Sequence, residues 1–216
     1  MRLRSTARRV VRPTLEKIVQ FSALGAGSGP RITRYTMYRR LAEIAPSPPP
    51  GASVLSISHS VDLCRLLGLD RCHLVEANYP EVNILDLPFA DQEFDYVVSD
   101  QVFEHIEGDP FRAMAETIRV LKPGGVLVHT TCFINPVHGE PSDFWRYTPD
   151  ALRLLVGDDA QVIEVSGWGS PIAWLFIFLG LRWTPVPNAQ WHPLNMAARF
   201  NLSKWPITTW LVARRR

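Results

Sequence analysis

The chain has 216 residues, of which 46% are hydrophobic and 20% charged, and its formal net charge is +2. These values are ordinary for a globular protein with a substantial core. Three cysteines, Cys64, Cys72 and Cys132, form no CxxC pair, which excludes a disulfide framework, gives no sign of a zinc site and favours a reducing compartment.

The N-terminal region carries the basic character of the chain, because residues 1–50 hold ten Lys/Arg against two Asp/Glu. Residues 1–20 contain five arginines before the first acid, Glu16. One interpretation is attraction to an anionic membrane or to nucleic acid, and the other is a solvated helix or frayed end. The Arg-rich start also resembles an organelle transit peptide, but it lacks the apolar core of a secretory signal. We favour a cytoplasmic protein.

The next segments predict a linker, a helix and a break. The GAGSG stretch within residues 21–30 follows no strand, so we interpret it as linker and not as a cofactor loop. Residues 32–44 predict an amphipathic helix, and the proline-rich residues 45–51 a hinge-like break. We therefore expect a basic helical arm with a linker over residues 1–50 and a main domain over residues 51–216.

The main domain begins with two strand signals. The run SVLSIS, residues 53–58, predicts the first strand, and a short helix follows over residues 61–69. Residues 72–75 predict the second strand, which ends at Glu76.

A well-marked strand, helix and strand follow in residues 87–131. FDYVVS (94–99) is typical of a strand covered on both faces. Asp109 supplies a helix N-cap with Pro110 at the first helical position, and Lys122-Pro123-Gly124-Gly125 stops the helix. The run GVLVHTT, residues 125–131, predicts the next strand. A helix that connects two buried strands predicts parallel pairing.

The last third predicts a helix opened by Thr148 and Pro149 and strands at residues 161–165 and 205–212. Residues 168–183, WGSPIAWLFIFLGLRW, are apolar almost throughout, and residues 185–193 predict a loop. The apolar run over residues 172–181 is about half the ~20 residues that span a bilayer. It could form a buried helix, a lid over the acceptor, or a segment in a membrane interface with Arg182 snorkelling.

Two stretches carry a resemblance to a known family. Residues 87–131 combine LPF, FD before an apolar strand, EH, a helix and LKPGG, and residues 136–148 contain PVHGEPSDFWRYT. The first pattern resembles class I S-adenosylmethionine-dependent methyltransferases of the type 11-like group. The second resembles the P-x-HGEP-x-DFWRYT loop of a bacterial subset. The matching segments span about residues 53–165, too long for a chance motif match.

The resemblance implies an α/β, Rossmann-like seven-stranded methyltransferase fold, with a mostly parallel sheet and helices on both faces. To this fold the chain adds an apolar insertion near residues 168–195. It also implies S-adenosyl-L-methionine as cofactor. Where the family has an acid-x-Gly-x-Gly loop, this chain has serines. The implied cofactor-binding residues are Ser56, Ser58, Ser60, Glu76, Asn83, Asp86, Asp100, Gln101 and His105, with Glu104-His105 as the family hallmark. A structural role, in which the side chain holds the loop, is the alternative for His105.

The loop after the 125–131 strand is the predicted acceptor site, since ligands bind at the carboxyl edge of open α/β sheets. A hydroxyl acceptor would need a base, for which His138 is the first choice, with Asp143 to orient or replace it. The predicted substrate-binding residues are Glu140, Trp145, Arg146 and Tyr147. A structural loop, in which Asp143 caps and Arg146 pairs with an acid, is the alternative.

The predicted activity is methyl transfer to an O or N acceptor on a small molecule or glycan, without a metal. The rival hypothesis is a binding or scaffold protein that kept the fold and lost the cofactor, as the serine loop would allow. A nicotinamide dehydrogenase is a distant third, since no G-x-G-x-x-G follows a strand. Peripheral membrane contact through the basic N-terminus and residues 172–181 is a further hypothesis, and no specific nucleic acid is expected.

Overall fold

The computed structural model describes residues 16–19, 21–23, 25–139 and 141–216. The predictions for residues 1–15 and for Glu140 lie outside this part of the chain. The chain divides into two compact units. The first comprises the described residues up to Arg39 together with Trp168–Ile207, and the second comprises Arg40–Gly167 together with Thr208–Arg216. Among the residues described, no helix has the length and apolar character required to cross a membrane.

The secondary structure alternates between strands and helices through most of the chain. The strands are β1 (Ser28–Arg31), β2 (Ser53–Ile57), β3 (His73–Ala77), β4 (Phe94–Asp100), β5 (Leu121–Cys132), β6 (Ala160–Trp168), β7 (Pro185–Pro187) and β8 (Thr208–Arg215). The helices are α1 (Ile32–Ile44), α2 (Val61–Leu66), α3 (Pro110–Arg119), α4 (Pro149–Val156), α5 (Pro171–Phe178) and α6 (Pro193–Arg199). Short 3-10 turns lie at Leu69–Arg71, Phe103–His105 and Leu181–Trp183.

The main sheet has six strands in the order β3-β2-β4-β5-β8-β6. β2 pairs in parallel with β3 and β4, β4 pairs in parallel with β5, and β8 runs antiparallel to β5. The Rossmann-like α/β class predicted from the sequence is confirmed. The four parallel strands point the same way, so their carboxyl ends meet at one edge, which is where open α/β sheets bind ligands.

Over the described residues the sheet has six strands and not the seven expected. Only 16 residues separate the end of β3 from the start of β4, and residues 78–93 form neither helix nor strand. A further parallel edge strand would need its own crossover, and a βαβ unit takes about 30 residues or more. The connection is too short for that strand, so β3 stays at the edge.

Local sequence signals explain the central elements. The Asp109 side chain accepts a hydrogen bond from Phe111 N at 2.9 Å to cap α3, and Pro110 occupies its first position, as predicted. Thr148 caps α4 in the same way through Ala151 N at 3.1 Å. Leu55, Val97 and Leu127, from three adjacent strands, are fully buried in one core cluster, into which helices α3 and α4 also pack. Capping and burial together fix where these helices lie on the sheet.

The first unit contains a two-stranded sheet that the sequence does not signal. β1 pairs antiparallel with β7, with Ser28 opposite Pro187 and Arg31 opposite Pro185. The predictions of a linker over residues 21–30 and of a loop at residues 185–193 are wrong at these positions. Main-chain hydrogen bonds stabilise both strands. Segments rich in glycine and proline lack the alternating apolar pattern from which a strand is predicted.

Candidate active site

The ends of β2 and β3 are tied together by hydrogen bonds around a short loop. Ser58 N donates to Ala77 O at 2.9 Å, and His59 N donates to Asn78 Oδ1 at 2.8 Å. The Asn78 amide in turn lies 3.4 Å from Glu76 Oε2. Glu76 is exposed at the carboxyl end of β3, as the sequence predicts, while Asn78 was not predicted as part of the site.

The loop keeps a left-handed backbone although it has no glycine. Ser58 has φ +48° and His59 has φ +60°. Of the four non-glycine residues with positive φ in the described chain, three lie at this sheet edge, the third being Gln101 at +59°. Such conformations are sparsely populated by side-chain-bearing residues, cost of order 1–3 kcal/mol each and cluster at functional sites. The loop therefore retains the backbone shape for which glycine is the usual choice.

The other two serines of the loop are structural. Ser60 is buried, and its Oγ donates to Ile57 O at 2.5 Å and accepts from Asp100 N at 2.7 Å. This hydroxyl joins the ends of β2 and β4. Ser56 is fully buried within β2, and its hydroxyl lies beside the Cys64 thiol of α2. We assign both hydroxyls to packing and leave them out of the proposed cofactor contacts.

The ends of β4 and β5 are joined through Thr130. Its Oγ1 donates to Asp100 Oδ1 at 2.5 Å. Gln101 N donates to Thr130 O at 2.9 Å, and the Gln101 side-chain amide lies 3.3 Å from Thr130 Oγ1. Asp100 and Gln101 are therefore held at the edge, as predicted. Thr130 lies within a strand, so the sequence does not mark it as a site residue. Its contact with Asp100 arises only because β4 and β5 are neighbours in the sheet.

Glu104 connects this edge to the loop over residues 133–148. It is fully buried, and its Oε2 accepts from Thr131 Oγ1 at 2.7 Å. Its backbone carbonyl accepts from Phe144 N at 2.8 Å and from Trp145 N at 3.1 Å. The neighbouring His105 has its Nδ1 hydrogen-bonded to the carbonyl of Ser142. Because that acceptor is a main-chain oxygen, His105 fastens the loop, which favours the structural role for this histidine.

The predicted catalytic pair lies in contact within this loop. Asp143 Oδ2 accepts from the backbone N of His138 at 2.8 Å and lies 3.2 Å from His138 Nδ1. The carbonyl of Pro136 also lies 3.2 Å from Nδ1. These two acceptors lie nearer to Nδ1 than the amide nitrogen of Asn135, at 3.4 Å, and a proton on Nδ1 leaves the lone pair of the neutral ring on Nε2.

Asp143 is held as an anion. Arg146 hydrogen-bonds both of its carboxylate oxygens, one of them at 2.6 Å. This pairing, together with the backbone hydrogen bond from His138, lowers the pKa of Asp143 from 3.8 to about 2. The Asp143 side chain is only 1% exposed. It can therefore orient His138, but it cannot reach an acceptor as a base in its place.

The remaining predicted substrate-binding residues, Trp145, Arg146 and Tyr147, differ in their exposure and in their contacts. Trp145 is 39% exposed and donates through Nε1 to Ile106 O at 2.9 Å. Arg146 binds Asp143 and the carbonyl of Trp145, so it braces the loop. Tyr147 is buried against Phe103 and Trp145, and burial raises the pKa of its hydroxyl. We place Arg146 and Tyr147 in the loop framework.

Asn83 and Asp86 lie in the connection between β3 and β4. Asn83 Oδ1 accepts from Leu85 N at 3.0 Å, a local turn contact. Asp86 lies 3.9 Å from the Arg112 guanidinium, and both side chains are mostly exposed. None of these contacts joins either residue to the hydrogen-bonded edge, and their predicted contact with the adenine stays a prediction.

One donor cluster was not predicted. Glu104, Cys132 and His138 each bring a possible metal-ligand atom within 4.8 Å of the others. Glu104 already accepts from Thr131, and burial, with the nearby charge of Glu104, raises the pKa of Cys132 to about 12. The thiol is thus protonated, and the three side chains form a polar cluster in which Glu104 and Cys132 are buried and His138 is partly exposed. The cluster could not be predicted from the sequence, because its members lie on three separate segments.

The mostly parallel sheet and its polar carboxyl edge define a Rossmann-like domain, a fold that solved methyltransferases share. Residues 50–129 match the family model described as a methyltransferase domain. This match and the relatives below support the resemblance to S-adenosylmethionine-dependent methyltransferases over that part of the chain.

Curated relatives match parts of the chain. A probable S-adenosylmethionine-dependent methyltransferase of Mycolicibacterium smegmatis is 40% identical over 114 residues, covering 48% of this chain and 43% of the relative. Tocopherol O-methyltransferase of Arabidopsis thaliana is 28% identical, covering 45% and 33%. Dimethylglycine N-methyltransferase of Parasynechococcus marenigrum is 27% identical, covering 69% and 49%. The chain thus spans half or less of the length of these relatives.

Solved structures share the fold. One is a chain in the complex between the Haloferax volcanii Trm112 methyltransferase activator and a methyltransferase, with a TM-score of 0.55 and 21% identity, covering 83% of this chain and 88% of that one. Another is geranyl diphosphate methyltransferase in complex with S-adenosylmethionine, with a TM-score of 0.51 and 16% identity, covering 84% and 85%. At these identities the likeness establishes the fold alone.

Proposed function

We propose that the chain transfers a methyl group from S-adenosylmethionine to an oxygen or nitrogen of a small molecule or glycan. The observation that carries this proposal is the left-handed backbone of Ser58 and His59 beside Glu76. A strained loop conformation persists only when its surroundings hold it, and here it lies where α/β folds bind nucleotides.

The residues at this edge suit the cofactor. The carboxylate of Glu76 can accept both ribose hydroxyls, since an acid at a strand end takes this role in Rossmann-like folds. Ser58 has a small side chain, and its left-handed backbone lets a ligand approach the main chain closely. Asp100, held by Thr130, provides a carboxylate for the cationic amino group of the cofactor. When bound, the cofactor supplies a methyl group on a positively charged sulfur.

The other part of the reaction belongs to the loop over residues 133–148. His138 Nε2 carries the lone pair that accepts a proton from a hydroxyl acceptor, and the Asp143 anion keeps the ring oriented and stabilises the imidazolium. The half-exposed rings of Phe144 and Trp145 provide apolar faces for a sugar or a planar acceptor. Correct positioning supplies much of the acceleration of a displacement of this kind.

Calorimetric titration with S-adenosylmethionine and S-adenosylhomocysteine tests the cofactor part. We expect a one-to-one complex with both. No heat with either ligand at high micromolar concentration would contradict the proposal and would favour the scaffold alternative, in which the serine loop has lost the nucleotide.

A transfer assay with labelled S-adenosylmethionine and a metabolite extract tests the acceptor part. His138→Gln should lower incorporation by roughly 10²–10⁴-fold, the usual share of a general base, and leave cofactor binding unchanged. His73→Gln, an exposed histidine at the start of β3, is the matched control. Equal incorporation by the His138 variant and the wild type would remove the base from the proposal.

We also place the chain in the cytoplasm. The support is chemical, since Cys64, Cys72 and Cys132 are all free and two of them are buried. Unpaired thiols are the usual state in a reducing compartment.

A further inference from the structure

The first unit combines a strong positive charge with an apolar exterior. The described residues of the first unit hold seven Lys/Arg and one Asp/Glu, while those of the second unit hold eleven and nineteen. From Trp168 to Ile207 there is no acid at all. The formal charge of the described first unit is therefore +6, against −8 for the second.

The exposed surface of α5 is apolar where a surface helix would be polar. Ile172, Leu175, Phe178 and Leu179 are 47–60% exposed, whereas Ala173 and Ile177 face the interior. Ordinary surface helices keep charged or polar residues on the outer face, and a helix apolar on all sides is normally covered. Of the twenty large apolar side chains exposed in the described chain, twelve belong to this unit.

Exposed aromatic side chains lie among basic ones in the same unit. Trp183 is half exposed, and the guanidinium carbons of Arg31 and Arg182 lie 4.4 Å and 5.2 Å from its ring centroid. Trp191 and Trp205 are 58% and 45% exposed. Tryptophan beside arginine is typical of the interface between water and lipid, where the ring lies among headgroups and the cation meets phosphate.

This exterior belongs to an ordered structure. Asn195 donates to Tyr35 Oη at 2.9 Å and to Pro187 O at 2.7 Å, and the Thr36 hydroxyl donates to Ala198 O. A Cβ at Gly169 would lie 2.1 Å from Trp205 O, so the main chain is tightly packed there. The exposed apolar side chains therefore belong to a folded unit with a well-packed interior.

We propose that this unit docks the protein peripherally on an anionic phospholipid membrane through the exposed apolar face of α5, with the exposed tryptophans of the same unit as further contacts. The uniform positive charge selects this occupant, because a negatively charged bilayer offers both an apolar layer and phosphate groups over a large area. A second copy of the chain would bring two units of charge +6 together, which opposes association. Docking on lipid is independent of methyl transfer.

Vesicle flotation of the full chain tests the proposal, with phosphatidylcholine alone or mixed with phosphatidylglycerol. We expect flotation with the mixed vesicles, little with phosphatidylcholine, and weakening at high salt. Combining Leu175→Gln with Phe178→Gln should lower the partition coefficient by about 10–100-fold, since roughly half of each side chain is available for burial. The matched control, Phe111→Gln with Leu154→Gln, removes equally exposed apolar groups from the second unit and should change nothing.

The charge contribution has its own pair of variants. Arg199→Gln with Lys204→Gln should lower partitioning by about fivefold for each residue, whereas Arg71→Gln with Arg153→Gln in the second unit should not. Thermal melting and light-scattering mass accompany each variant. A folded wild type that stays unbound with every vesicle overturns the proposal, as do controls that lose binding equally. If the wild type is a dimer that does not float, and the α5 variant converts it to a monomer, a second copy of the chain is instead the occupant of this surface.

Discussion

The ion pair between Asp143 and Arg146 gives a quantitative prediction for Arg146→Gln. This change removes the guanidinium from both carboxylate oxygens of Asp143 and from the carbonyl of Trp145. The Asp143 side chain is 1% exposed, so water cannot replace the lost partner without disturbing the loop. We expect the folded variant to be less stable, with the pKa of Asp143 moved back toward its ordinary value.

The magnitude follows from the pKa of Asp143, which is about 2 in the folded chain against an ordinary 3.8. A difference of this size corresponds to about 2–3 kcal/mol of folding free energy. Because the folded pKa is the lower one, this stability is present above pH 3.8 and is lost as the pH falls through about 2. Wild type and variant should therefore differ most near neutral pH, and about half of the difference should be gone by about pH 3.

Urea unfolding at pH 7, 5, 4 and 3 measures the prediction directly. The matched control is Arg153→Gln, an exposed arginine on α4, which should unfold as the wild type does. An Arg146→Gln protein with the wild-type midpoint at pH 7 would refute the reasoning. A deficit that stays constant from pH 7 to pH 3 would also refute it, since the loss would then not come from the Asp143 carboxylate.

Three further predictions concern the sheet edge and the core. Glu76→Gln should weaken S-adenosylhomocysteine binding by about 10–100-fold in calorimetry, as expected for a lost charge-assisted hydrogen bond, whereas Glu81→Gln should bind normally. Ser58→Gly should raise stability by about 1 kcal/mol in thermal unfolding, because glycine adopts the observed φ of +48° without strain; an unchanged melting temperature would contradict this. Burial lowers the pKa of His129 from 6.5 to about 3, so its stabilising effect is complete above pH 6.5 and declines toward pH 3. His129→Gln should flatten that part of the stability curve relative to His73→Gln, and parallel curves would argue against a buried neutral imidazole.

Much of the central fold could be predicted because its signals are local. Asp109 and Pro110 mark the start of α3 through capping and backbone geometry that involve only adjacent residues. Strand β4 is recognisable because burial on both faces demands a continuous apolar run. Strands β1 and β7 escaped prediction, since each gains its stability from main-chain hydrogen bonds to a partner more than 150 residues away.

The candidate site could be predicted only in part. Glu76, Asp100 and His138 are polar residues directly after strands or in a loop, which is a pattern visible in the sequence. Asn78 and Thr130 were missed because their roles depend on which strand ends are neighbours. The serine loop shows the same dependence: the sequence records the missing glycines, whereas the backbone conformation at Ser58 and His59 appears only in the folded chain.

The sequence alone determined the class of fold, the order of the central elements and the uneven distribution of charge, because apolar periodicity, helix caps and composition act over a few residues. The tertiary structure decided that the described part of the chain forms a six-stranded sheet, that Asp143 contacts His138 and that Arg146 pairs with Asp143. It also decided that the apolar residues of α5 face outward. These properties depend on contacts between distant segments, and the folding of the whole chain brings those segments together.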